Sequence, residues 1–407
     1  MKMVKVGFVC ACIIVFASAF RAGQSQAGQS QANAPTITAI PFPTTGIAGE
    51  PHLTSSPSGA VYASWIERRD DKAYLMMASL KGDAWSPATE VASGSNWFVN
   101  WADVPSLTVA SNGRMMAHWL ERLGDGKYAY GVRYSVSADA GKSWTTAKWL
   151  HADRSESEHG FASVVVHKDG FMAVWLDGKG YAGPEKAMAL NSRTIGFDGT
   201  LGPEVLLDTR TCDCCPTTLT PIGDGRIVAL YRGRTPDEVR DIQAVFWQNG
   251  MWSEPVTVSE DHWQINACPV NGPSIHANGR RFVASWFTAA GGEPKINASL
   301  SEDGGFAFGD PIRLDLGHPV GRVASRMRSV SEAAVLWIEG SGSTTNGLLL
   351  KTISQSGVVS EPIQIAPISE GRSSGYPRME VDGESLIVMW TAATEPATIQ
   401  TARVSWK

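Results

Sequence analysis

Seven stretches of the chain repeat one pattern, an apolar run that closes on an aromatic: VYASW ending at Trp65, MMAHW at Trp119, MAVW at Trp175, IVALY at Tyr231, FVASW at Trp286, AAVLW at Trp337 and LIVMW at Trp390. The aromatics stand 54, 56, 56, 55, 51 and 53 residues apart. Short apolar runs rich in β-branched and aromatic residues read as strands. A repeat of about 50 residues built from such strands marks the blades of a β-propeller. Each aromatic is expected to pack between neighbouring blades.

Each aromatic strand is preceded by another that starts after a proline or small residue: Pro51-His52-Leu53, Pro105-Ser106-Leu107, Ala162-Ser163-Val164, Pro216-Thr217-Thr218, Pro273-Ser274-Ile275, Ala324-Ser325-Arg326 and Pro377-Arg378-Met379. These are expected innermost, lining a central channel, with His52 among the lining residues and His118 buried inside its strand. Turns such as Asn112-Gly113, Asp224-Gly225 and Asn278-Gly279 join the two strands as hairpins. A last hairpin recurs as GDAWSPATEV, GKSWTTAKWL, GTLGPEVLL, GMWSEPVTV, GFAFGDPIRL and GVVSEPIQI, six copies for seven aromatic strands. The seventh repeat stops at Trp406, and a spare strand, Thr36-Ile37-Thr38-Ala39-Ile40-Pro41, precedes the first. If that strand completes the last blade, the ring closes and no sheet edge stays open. The fold class is therefore all-β, one propeller of four-stranded antiparallel blades over residues 35–407.

Composition narrows the picture further. A formal net charge of -5 argues against nucleic acid as a partner. At the start, Lys2 and Lys5 precede an apolar run over residues 6–16 and the small residues Ala17-Ser18-Ala19. This reads as a signal peptide over residues 1–19, followed by a flexible linker over 20–34 and export to the periplasm or medium, with no transmembrane span in the mature chain. Cys10 and Cys12 would leave with the signal, so four cysteines remain: Cys212, Cys214, Cys215 and Cys268.

The stretch Ser137-Ala138-Asp139-Ala140-Gly141-Lys142-Ser143-Trp144 matches the pattern S-x-D-x-G-x-x-W, and Ser301, Asp303, Gly305 and Phe308 repeat it with Phe in place of Trp. In this motif and its position in the last hairpin the chain resembles the sialidase-like (BNR or Asp-box repeat) propellers. The resemblance implies that the box is structural, on the face opposite the active site. Six blades, the number usual in sialidases, is the alternative to the seven counted. Sialidase chemistry would need an arginine clamp on a carboxylate, a tyrosine nucleophile and an acid. The matching residues are Tyr376, Arg378, Arg232 and Arg322, with Glu121 as a rim carboxylate, whereas Glu50-Pro51-His52-Leu53 stands where the leading Arg motif is expected. TCDCC, with YRGRTPDEVRDI and CPVNGP, also resembles a group of exported sialidase-like proteins of unassigned function.

Loops from a fourth strand to the next first strand share a face with loops between second and third strands, the usual ligand platform. On it fall Trp97, Asn100 and Trp101, residues 151–159, 261–268 and 372–378, and all four cysteines. Glu67, Glu121, Asp177 and Glu339 recur two places after a core aromatic, a spacing expected to place rim salt bridges between blades. Neighbouring loops bring Cys212, Cys214 and Cys215 towards Cys268. In an oxidising compartment the expectation is a disulfide from Cys268 to the cluster with the remaining two paired. The alternative is a thiolate site for copper(I) or zinc, with His262 as a possible further ligand. The functional expectation is a binding module that takes a carbohydrate or protein ligand on the cysteine-bearing face. An exo-glycosidase and a periplasmic copper-handling or assembly factor stand as alternatives.

Overall fold

Each aromatic strand is the second strand of an antiparallel sheet, and there are seven such sheets. The computed structural model describes residues 1–3, 34–301, 307–392 and 394–406. The signal peptide and linker expected over residues 1–34 lie almost wholly outside them, as do Asp303 and Gly305. Residues Pro35–Lys407 make one compact unit.

Blade one runs Ile47–Ser55, Val61–Arg69 and Lys72–Lys81, and its fourth position is shared by Ala84–Trp85 and Thr89–Gly94. Blade two is Ser106–Val109, Met115–Arg122, Tyr130–Ser137 and Lys148–Trp149, and blade three His159–His167, Gly170–Asp177, Met188–Gly196 and Val205–Thr211. Blade four is Thr218–Pro221, Ile227–Arg232 and Ile242–Gln248, edged by Met251–Trp252 and Val256–Thr257. Blade five is Ser274–Asn278, Arg281–Thr288, Lys295–Ser301 and Ile312–Arg313; blade six is Pro319–Met327, Glu332–Glu339, Gly347–Ser354 and Ile363–Ala366. Blade seven takes Arg378–Asp382, Ser385–Ala392 and Thr398–Ser405 from the end of the chain and Thr36–Ile40 from its beginning, paired from Thr36 opposite Ser405 to Ile40 opposite Thr401. The closure expected from the missing hairpin is thus present, and the count is seven rather than six.

The aromatics hold the ring together. Trp65 lies in one apolar cluster with Ile387 and Met389 of blade seven, Trp175 with Tyr130 and Val132 of blade two, and Trp337 with Val283 and Ile296 of blade five. Trp65, Trp175, Trp286, Tyr231 and Trp337 have no exposed surface. Cutting one of them to alanine is expected to cost about 3–5 kcal/mol, because the facing blade cannot collapse into the space.

The Asp-box of blade two has the geometry its pattern implies. Ser137 Oγ accepts from Gly141 N at 2.9 Å and donates to Asp139 Oδ1 at 2.8 Å, and Asp139 also accepts from Ser143 N and Oγ. These bonds, those from Ser143 first, bring the Asp139 carboxyl down to about 2. Gly141 sits at φ 82°, where L side chains are strained. Trp144 packs under the hairpin against the blade-one and blade-two core, and in blade five Phe308 meets Phe282 edge-on at 5.3 Å.

Candidate functional site

The carboxylates that follow the core aromatics do not make the rim of interblade salt bridges that their spacing suggests. Glu67 Oε1 accepts from Trp65 Nε1 at 3.0 Å, Asp177 Oδ2 from Trp175 Nε1 at 3.0 Å and Glu339 Oε2 from Trp337 Nε1 at 2.7 Å. Each acid also holds the chain entering its own blade: Glu67 takes Thr45 N and Oγ1, Glu339 takes His318 N, and Asp177 Oδ1 lies 3.2 Å from His159 Nδ1. Burial pushes the Asp177 carboxyl up, but bonds from His159, Trp175 and Lys179 N outweigh it and bring it to about 2. In blade five the same role falls to Asp261, which takes Trp286 Nε1 at 2.7 Å. The physical reason is that a buried indole N–H needs an acceptor, and side chains two apart on a strand share one face. Glu121 is the exception. It faces Arg133 of its own blade at 3.6 Å, and Trp119 Nε1 has no partner among the described residues.

The thiols gather where two loops cross. Cys212 N donates to Arg232 O at 2.9 Å, which ties the end of blade three to blade four. Asp213 accepts from Met188 N and from Arg234 Nη1 at 2.9 Å, fixing the turn. Cys212, Cys214 and Cys215 then present Sγ atoms all within 4.8 Å of one another, and Cys212 and Cys215 are 1% exposed. Cys268, which is exposed, lies close enough to Cys214 to push its thiol up. Gly272 makes the crossing possible, since a Cβ there would stand 2.2 Å from Pro216 O.

All four cysteines stand as free thiols in this structure. The closest pair, Cys212 and Cys215, has its sulfurs 3.1 Å apart, against about 2.05 Å in a disulfide. Hydrogen bonds from Cys214 and Cys215, opposed by burial and aided by Arg232, hold the Cys212 thiol well below its ordinary range. Arg240 Nη1 points at Cys212 Sγ from 3.4 Å. Bonds to Cys212, Cys215 and Cys268 push Cys214 up, burial pushes Cys215 up, and the bond from Cys214 brings Cys268 down. The cluster is one favoured thiolate surrounded by thiols and two guanidinium groups.

The residues matched to a sialidase site do not form a common clamp. Arg232, 1% exposed, donates only to main-chain carbonyls: Asn271 O at 3.1 and 2.9 Å, Arg240 O at 2.7 Å and Phe287 O at 2.7 Å. Arg322 bonds Gly371 O, Glu370 O and Ser374 Oγ, and its N donates to Asn271 Oδ1 at 2.8 Å. Tyr376 OH donates to Val270 O at 2.6 Å, and burial pushes the phenol up. Three of the five thus meet on residues 270–271, the loop that delivers Cys268. Tyr376 and Arg378 also line a channel cavity of about 280 Å³, with His52, His276, Arg326 and Glu380. Burial brings Arg378 down to about 10, and its Nε donates to Pro51 O. Glu121 is elsewhere, and His262 lines a separate depression with Glu185, Asp208 and Arg210.

Two buried clusters escaped the reading of the sequence. Tyr130 OH lies 2.8 Å from Asp103 Oδ2 and 2.7 Å from Glu158 Oε1. One phenol proton cannot serve two carboxylates. Burial accordingly raises Asp103 to about 7 and Glu158 to about 8, so a carboxyl proton completes the pair near neutrality. His159 lies between Asp153 and Asp177, and its ring stacks on His151 at 4.1 Å. His151 Nε2 accepts from Val132 N, and burial brings that ring down to about 3. The first cluster joins residues of the loops entering blades two and three to blade two, whereas the second lies wholly within residues 151–177, on blade three and the loop entering it.

No protein-family model matches the chain, and no curated protein matches it. Among solved structures it is similar to a protein of unknown function from Dyadobacter fermentans, at 14% identity over 91% of this chain and 98% of that one, TM-score 0.53. It is also similar to the BP39L lectin from Burkholderia pseudomallei, at 9% identity over 89% and 97% of the two chains, TM-score 0.61. These likenesses are of fold.

Proposed function

We propose that the chain is an exported binding propeller whose cysteine-bearing face holds a soft metal ion, copper(I) or zinc. The observation that carries the reading is the set of three Sγ atoms within 4.8 Å of one another, with Cys268 on the neighbouring loop as the candidate fourth donor. Thiolates about 2.3 Å from a tetrahedral ion stand about 3.8 Å apart, so Cys212 and Cys215, with sulfurs 3.1 Å apart, would part slightly to take one. Soft thiolate donors favour copper(I) and zinc over calcium or magnesium. Cys212, already favoured as a thiolate, supplies the first charge, and the Arg232 and Arg240 guanidinium groups offset the excess negative charge of a thiolate-bound ion. The polar groups of this face that resemble a hydrolase site support the reading, since Arg232, Arg322 and Tyr376 all brace the Cys268 loop. They act as positioning residues.

The test is anaerobic titration of the reduced protein with copper(I) against a competing chelator, and separately with zinc. One equivalent is expected to bind, with retention lost in Cys214→Ser/Cys215→Ser. Four titratable thiols with no metal retained, or four blocked thiols in protein taken from the periplasm, would overturn the proposal.

A further inference from the structure

A second cleft opens on the same face, away from the thiols, between the loop entering blade two and the loop joining the second and third strands of that blade. Its volume is about 940 Å³, within the range of small-ligand clefts. Arg122, Lys127 and Arg372 line it, with Asp125 as its acid. None of the three cations makes an ion pair among the described residues, although Arg68, Arg133, Arg210, Arg234 and Arg313 on other loops and strands are all paired. Aromatic faces hold the cations instead: Arg122 lies 5.3 Å from the Phe98 ring, Lys127 5.2 Å from Tyr128 and Arg372 5.9 Å from Trp101. Tyr128 is 49% exposed and meets Phe98 edge-on at 6.4 Å, while Phe98 is stacked on buried Tyr130 at 4.0 Å.

Three unpaired cations around a supported, exposed aromatic ring are a concentrated positive site on a chain of net charge -5. We infer that this cleft binds an acidic saccharide, with the sugar ring against Tyr128 and its carboxylate or sulfate on Arg122, Lys127 and Arg372. A guanidinium pairs such groups through two N–H bonds, and an aromatic face suits the C–H side of a pyranose. An acidic peptide fits less well. Main-chain groups on both sides of the cleft already pair within the blade, with Phe98 N on Leu120 O, Arg122 N on Asn96 O and Leu123 N on Ala129 O, which disfavours docking of a strand there.

The experiment is calorimetric titration of the mature chain with trigalacturonate, its methyl ester, a heparin-derived tetrasaccharide and hexaglutamate. At least one of the two acidic saccharides is expected to bind, more weakly as salt rises, with the neutral ester at least tenfold weaker. Tyr128→Ala and Arg122→Ala should each weaken binding at least tenfold, Tyr128→Phe should retain it, and Cys214→Ser/Cys215→Ser should leave it unchanged. Because Tyr128 and Arg122 are exposed, circular dichroism is expected to show both variants folded. The inference is overturned if neither acidic saccharide binds, if binding survives the two alanine variants, or if hexaglutamate binds as tightly as the saccharide.

Discussion

Removing Glu339 tests whether the recurring carboxylates are anchors for the core tryptophans or surface charges. In Glu339→Leu, Trp337 Nε1 loses its 2.7 Å acceptor inside a side chain with no exposed surface. An indole N–H stranded there costs about 1–3 kcal/mol. His318 N at 2.8 Å and Leu316 N at 3.3 Å lose the same carboxylate but are partly reached by water, so together they add about 1 kcal/mol. The expected loss is about 3 kcal/mol, a large share of a stability of about 5–15 kcal/mol. The control is Glu121→Leu, which removes a half-exposed acid 3.6 Å from Arg133 and no indole partner. It should cost under about 1 kcal/mol. Urea unfolding followed by far-ultraviolet circular dichroism measures both, with the denaturant slope compared to check that the unfolding unit is the same. If the two variants fall within about 1 kcal/mol of each other, the anchor argument fails.

Two further outcomes follow from the same contacts. Gly272→Ala places a Cβ 2.2 Å from Pro216 O, so the Cys268 loop must move; copper(I) retention should weaken at least tenfold while far-ultraviolet circular dichroism stays that of a propeller. For the Asp103, Tyr130 and Glu158 cluster, the folded carboxyls near 7 and 8 lie above their ordinary values of 3.8 and 4.5. The native state therefore holds protons that the unfolded chain releases, so the stabilising contribution is full below about pH 4 and is lost as pH rises through 7 to 8. Melting temperature should fall from about pH 5 to pH 8 and level off above it, each group contributing up to about 1.4 kcal/mol per pH unit between its unfolded and folded values. Asp103→Asn should flatten the profile, and a profile unchanged by that variant would refute the assignment.

The ring was legible because its determinants are local and repeated. Strand period, Asn-Gly and Asp-Gly turns and seven aromatics at near-equal spacing all point one way, and the last hairpin missing from the seventh repeat told where Thr36–Ile40 had to go. The pairing of Trp with an acid two places on was equally visible at Trp65-x-Glu67, Trp175-x-Asp177 and Trp337-x-Glu339. Its meaning was not, because acid and aromatic on one strand face look the same whether the acid meets an indole or a neighbouring arginine. Cys268 could be placed near the loop of Cys212, Cys214 and Cys215 from the repeat alone. The work done by Arg232, Arg322 and Tyr376 could not, since their partners are mostly main-chain carbonyls, of residues 240, 270, 271, 287, 370, 371 and 375, and a carbonyl leaves no trace in side-chain sequence.

That distinction bears on what this face is for. A hydrolase needs polar groups with bonding capacity left for a substrate in the transition state. Here the residues that most resemble such a set have been spent on loops: Arg232 through four bonds to carbonyls, Arg322 through its clasp on residues 370–375, Tyr376 through Val270 O. Bonding capacity is left at the thiols where the two loops cross, at the cations around Tyr128, and along the channel cavity, where His52 Nδ1 and Arg326 Nε have no hydrogen-bond partner among the described residues. The first two sit on braced chain segments, the thiols by Arg232 and Tyr376, the cations by Phe98 stacked on Tyr130. A donor set held in place before its ligand arrives loses less freedom on binding.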